Sequence, residues 1–145
     1  KCLMEFVEPT SIILKHTNPC GVASAKNIET AFNKSYESDP KSAFGGIILL
    51  NRKVSYKLAK RIFKNFYEMI AASDYDQAAI KMLEKKKNLI LLKIPNIKKK
   101  TIEYRSTLFG DLYQTTDLDP INKKFLSLVS KKKGSKKSVL SCVSL

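Results

Sequence analysis

Short apolar runs along this chain alternate with longer stretches in which apolar residues recur at every third or fourth position. Ile12, Ile13 and Leu14 form the first such run, and Ser11 to Leu14 reads as a buried strand that Asn18-Pro19 and Gly21 bring to a stop. The helical period follows: Ile28, Ala31, Phe32 and Ser35 share one side of a helix from Ile28 to Tyr36. Ile47 to Leu50 is a second buried strand, Tyr56 to Phe66 an amphipathic helix, and Met69 to Ala72 a short strand. A helix from Asp76 to Lys86, capped by Asp74 or Asp76, leads into a strand from Leu89 to Ile94. Lys1 to Val7 reads as the end of a helix. Alternating strands and helices predict an α/β fold, with crossover units around a largely parallel sheet. Pro95 and the lysines after it mark an exposed connection, and Ile102 to Tyr113 predicts β structure with Gly110 as a bend or bulge.

Length and composition narrow the class. A chain of 145 residues, 43% of them hydrophobic, suits one globular domain with a core of its own. No apolar run is long enough to cross a bilayer and the N-terminus lacks a secretory pattern, so the expected setting is cytoplasmic, with no membrane partner. Cys2, Cys20 and Cys142 are an odd set without Cys-x-x-Cys spacing, which supports neither a disulfide framework nor a zinc site. Cys20 beside the turn is a possible nucleophile. A small structural residue is the better reading, because nothing in the sequence lowers its thiol pKa.

Lys15 and His16 carry the first candidate chemistry. His16 is the only histidine in the chain, and it stands where the apolar run ends and a turn begins. A histidine exchanges a proton near neutral pH and an adjacent fixed cation holds developing negative charge, so the pair offers what acyl transfer needs. The plainer reading is a surface or capping pair. A second segment, Ser38-Asp39-Pro40-Lys41-Ser42-Ala43-Phe44-Gly45-Gly46-Ile47-Ile48, runs from a polar turn through a glycine pair into a strand. Adjacent glycines there let a backbone approach a ligand closely, although a plain turn would also use them.

Taken together, Lys15-His16-Thr17-Asn18-Pro19-Cys20-Gly21 and the Ser38–Ile48 segment resemble the transformylase domain of the AICAR transformylase/IMP cyclohydrolase family. The similarity continues through Ala59 to Ile62, Phe66 to Ala72 and Ala78 to Leu89, weakens towards Lys133, and is not seen in the tail from Gly134. Two departures stand out: Ser73 replaces a usual proline, and Gly110-Asp111 stands where paired glycines are usual. The resemblance implies a cytidine-deaminase-like α/β core without that fold's zinc motif, here incomplete. Residues 1–133 would be a partial transformylase domain and residues 134–145 a non-matching tail, from a frameshift or truncation or as a genuine short C-terminus. Lys1 is not an initiator, and the cyclohydrolase domain and further substrate-binding segments are absent. The expectation is therefore an internal fragment that is inactive by itself.

The implied reaction is formyl transfer from 10-formyltetrahydrofolate to AICAR, a step of purine biosynthesis that needs no metal. By the resemblance His16 would take the amine proton and Lys15 would stabilise the oxyanion. Gly45 would lie against the nucleotide, Glu68 would bind a polar group of it, and Asn18 and Phe44 would shape the substrate-binding turns. The resemblance also implies a homodimer for the full-length protein, with its sites at the interface.

The net charge of +14 raises an alternative from another class. Lys85-Lys86-Lys87, Lys98-Lys99-Lys100 and Lys131-Lys132-Lys133 could make a lysine-rich nucleic-acid-binding module that holds phosphates by counterion release. Yet only Arg52, Arg61 and Arg105 of the 27 basic residues are arginine, the side chain whose fork reads phosphates and bases. Solvated lysine faces are the better reading and nucleic acid is not the expected partner. A positive surface would still draw in a nucleotide monophosphate and a polyglutamylated folate.

Overall fold

The computed structural model describes residues 2–94 and 102–116, in two units that divide between Lys99 and Lys100. The first unit carries strands β1 (Thr10–Lys15), β2 (Asn18–Ser24), β3 (Gly46–Leu50), β4 (Tyr67–Ala72) and β5 (Ile90–Lys93). They form one sheet in the order β2-β1-β3-β4-β5. Helices α1 (Ile28–Ser38), α2 (Pro40–Ala43), α3 (Tyr56–Ile62) and α4 (Gln77–Leu83) complete it, after a 3-10 turn at Cys2–Glu5.

Strand alternation sorts the apolar residues. Ile13, Ile48, Leu50, Ile70 and Ala72 cluster with Ala31, Phe32, Leu58, Ala59, Ile62, Ala79 and Leu83 from α1, α3 and α4, all of them buried. Each large side chain in that cluster contributes about 1.5–3 kcal/mol by leaving water. The helical period of Ile28, Ala31, Phe32 and Ser35 is the buried stripe of α1. Hydroxyls tie these layers at fixed points, Ser11 Oγ to Ser35 Oγ at 2.8 Å and Tyr75 Oη to the Ile70 carbonyl at 2.7 Å.

Several expectations are corrected. Asn18, Pro19 and Gly21 do not stop the chain; they belong to β2, which runs back antiparallel to β1. His16 and Thr17 alone make the turn, both with left-handed φ, 51° and 67°. The sheet is mixed rather than largely parallel: β1 is antiparallel to both neighbours, and only β3, β4 and β5 run parallel. The helix expected to reach Phe66 ends at Ile62, and the one expected to reach Lys86 ends at Leu83. Asp76 occupies the N-cap of α4 without a capping hydrogen bond, because its carboxylate pairs with Lys53 at 2.7 Å, while Asp74 pairs with Lys93 at 2.7 Å. The N-terminal helix end is only the 3-10 turn.

Asn51 and Arg52, which follow β3, clasp the segment before β1. The Asn51 side chain accepts from Thr10 N–H at 2.7 Å and donates to the carbonyls of Phe6 and Glu8, while Arg52 donates to the Val7 carbonyl at 2.6 Å. In the second unit β6 (Ile102–Thr107) and β7 (Gly110–Thr115) pair as a hairpin, Tyr104 stacked on Tyr113. Gly110 bends the chain there with φ 127°, as expected. The proposed tail, Cys142 and the lysine triplets at 98–100 and 131–133 lie outside the described residues.

Candidate active site

The end of β1 and the starts of β2, β3, β4 and β5 share one edge of the sheet, because β1 alone points the other way. At that edge Leu14 pairs with Ile47, so Lys15 arrives beside Gly46 and Gly45. Lys15 Nζ donates to the Gly45 carbonyl at 3.1 Å, a contact between residues thirty positions apart. An ammonium has three donors, so this bond anchors Lys15 and leaves N–H groups to aim at a ligand.

Gly45 is held from both sides. Its N–H donates to the Phe66 carbonyl at 3.0 Å, and its φ is +66°. A β-carbon there would stand 2.9 Å from Lys15 Nζ and 3.5 Å from the Phe66 ring. The turn that delivers it is α2, where Asp39 accepts from Ser42 N–H at 3.0 Å and Ser42 Oγ at 2.6 Å. Those hydrogen bonds, the side-chain one first, hold the Asp39 carboxyl below the usual carboxylate range. Phe44 ends α2, 64% exposed as a residue, with its ring centre 5.4 Å from that of Phe66.

Two bulges sit at this edge. The β1–β2 register skips Cys20, and the β3–β4 register skips Glu68. A bulge leaves one residue unpaired and turns its side chain out of the regular alternation. Cys20 Sγ uses that freedom to donate to the Ile13 carbonyl at 3.4 Å, and burial pushes its thiol pKa up. Cys20 is therefore a structural thiol. Glu68 is exposed, at the unpaired position of the bulge.

Lys15 and Gly45 are thus brought into contact. His16 stands on the exposed turn next to Lys15, and Asn18 Nδ2 reaches only the His16 carbonyl, at 3.5 Å. Glu68 is on β4, on the far side of β3 from the β1–β2 turn. Phe66 and Tyr67 are additions to the sequence reading. Phe66 looked like the last apolar residue of a helix, whereas here its carbonyl and ring both meet Gly45. Burial pushes the Tyr67 hydroxyl up to about 12, with the Asn65 side chain nearby pulling it part of the way back. The described residues contain no group of three or more histidine, cysteine, aspartate or glutamate side chains placed to hold a metal ion.

Gly45→Ala is expected to impair the site more than the fold. The left-handed conformation costs an alanine about 1–2 kcal/mol, and the new methyl group pushes Lys15 Nζ off its anchor. Thermal unfolding measured beside ligand affinity checks this. A fall in midpoint with unchanged affinity would assign Gly45 a purely structural role.

The chain matches the family described as AICARFT/IMPCHase bienzyme over residues 1–143, and it belongs to that family. It is 42% identical over 137 residues to the bifunctional purine biosynthesis protein PurH of Thermoanaerobacter sp. (strain X514), covering 94% of this chain and 27% of that protein. The corresponding protein of Lactococcus lactis subsp. cremoris (strain MG1363) is 47% identical over 108 residues, 74% of this chain and 21% of that protein. The chain thus spans about a quarter of the length of these relatives. Among solved structures, a dCMP deaminase from the cyanophage S-TIM5 aligns with a TM-score of 0.48 at 10% identity, over 59% of this chain and 79% of that one.

Proposed function

We propose that this chain supplies part of the active site for formyl transfer from 10-formyltetrahydrofolate to AICAR, within a purine-biosynthesis enzyme that also carries IMP cyclohydrolase. The observation that supports it best is the meeting of Lys15, His16 and Gly45 at one sheet edge, with Lys15 Nζ anchored on the Gly45 carbonyl. The AICAR amine attacks the formyl carbon while His16 accepts its proton, and Lys15 donates a free N–H to the tetrahedral oxyanion. Collapse breaks the bond from the formyl carbon to N10 of the folate, which recovers a proton from the His16 imidazolium. Gly45 leaves room for the nucleotide, and Glu68 binds a polar group of it.

The enzyme works in the cytoplasm as a homodimer. Transfer requires two substrates held in near-attack geometry, so the activity belongs to the complete protein and the 145 residues alone turn nothing over. The test is an assay of both forms with AICAR and 10-formyltetrahydrofolate. Turnover by the complete protein is expected, and its absence would sink the reading.

A further inference from the structure

We propose that the cavity at the starts of β4 and β5, lined by Phe66, Tyr67, Lys86, Lys87, Asn88 and Leu89, receives the anionic end of a substrate whose reacting end lies at Lys15. This rests on the formyl-transfer reading and adds a subsite to it. The cavity has a volume of about 270 Å3, enough for a phosphate or for a carboxylate-bearing tail. It belongs to the same sheet edge as Lys15 and Gly45. Phe66 is common to both places: it lines the cavity, while its ring faces the position a Gly45 β-carbon would take. Two strand intervals separate the start of β3 from that of β5, about 10 Å, within the span of an extended nucleotide or folate.

The cations there are not equivalent to free surface lysines. Lys86 is half-buried, its Nζ donates to the Asn65 carbonyl, and it lies 4.9 Å from the centre of the Phe63 ring. Those contacts fix the ammonium and leave it further N–H donors. Burial lowers its pKa, and a bound anion would offset that cost. Lys87 is exposed at the cavity wall, and Asn88 adds an amide donor. Two cations, an amide and an aromatic wall suit a phosphate or carboxylate attached to a flat ring. AICAR offers the first and the glutamate tail of 10-formyltetrahydrofolate the second.

The test uses the complete protein and measures binding by calorimetry, so it does not depend on turnover. AICAR and the mono- and triglutamate forms of 10-formyltetrahydrofolate are titrated into wild type, Lys86→Gln/Lys87→Gln, Lys87→Gln alone and Lys85→Gln. Lys85 is exposed and outside the cavity, so its variant reports a bare change of net charge. The double variant is expected to bind one ligand about tenfold more weakly, with Lys87→Gln intermediate and Lys85→Gln near wild type. Weaker AICAR binding places the phosphate there, and a loss confined to the triglutamate places the tail. Equal losses in Lys85→Gln, or unchanged binding in Lys86→Gln/Lys87→Gln and in Lys87→Gln, would overturn the proposal. The exposed Lys87 keeps the test open if the double variant is unstable. A wild type that binds at this cavity without transferring formyl groups would instead overturn the reading of the reaction.

Discussion

Replacing His16 by alanine in the complete protein is expected to lower formyl transfer to AICAR by roughly a hundredfold or more, the scale of a positioned acid–base group. Stability is expected to change little, because the side chain is exposed and no contact of the fold depends on its ring. Alanine tolerates φ 51° somewhat less well than histidine, a cost of a local turn residue that leaves the paired strands in place. Cyclohydrolase activity, expected from a separate part of the complete protein, is the internal control. A loss shared equally by both activities, or a turnover within about threefold of wild type, would remove His16 from the chemistry.

The conformation of that turn adds weight to the expectation. Two-residue hairpin turns with positive φ at both positions favour Asn-Gly, whose residues adopt them at little cost. Here the positions are His16 and Thr17, the second β-branched and held by its own Oγ1 donating to the His16 carbonyl at 2.6 Å. Such backbone strain is concentrated at functional sites. His16, the first of the two, adjoins Lys15, whose Nζ is anchored on the Gly45 carbonyl.

The same turn explains what the sequence concealed. Neither His16 nor Thr17 is a turn former, while Asn18, Pro19 and Gly21 all are, so local chemistry pointed two residues too late. Pro19 is tolerated because β2 is an edge strand, paired only with β1, and sits beside the Cys20 bulge. Once β2 is hidden, the antiparallel half of the sheet is hidden with it. The helices were more legible, since their buried stripes repeat within one segment, but aromatic Phe63 and Phe66 prolonged the apparent period of α3 past its end at Ile62. In the site, Lys15, His16 and Gly45 stood out by residue type and setting. The Lys15–Gly45 bond, and the roles of Phe66 and the two bulges, depend on strand register, which no local pattern encodes.

Gly21→Ala is expected to be the most destabilising single substitution among these glycines. A β-carbon at Gly21 would stand 1.9 Å from the Ser35 carbonyl oxygen and 2.8 Å from its carbon, both main-chain atoms of α1. Neither partner has slack: Ser35 Oγ is bonded to Ser11 Oγ and to the Phe32 carbonyl, which pins α1 against β1. Either the helix or β2 must move by more than an ångström, against cores that normally resist even one added methylene group. The expected cost is about 3 kcal/mol or more, a fall in the melting midpoint of at least about 10 °C for a unit of this size. Truncating Ser35 to alanine in the same chain should not rescue it, because the obstructing atom belongs to the backbone. Urea unfolding of Gly21→Ala, with and without Ser35→Ala, reads both expectations. A cost below about 1 kcal/mol would mean that β2 yields freely and that the Ser35 carbonyl does not fix its position against α1.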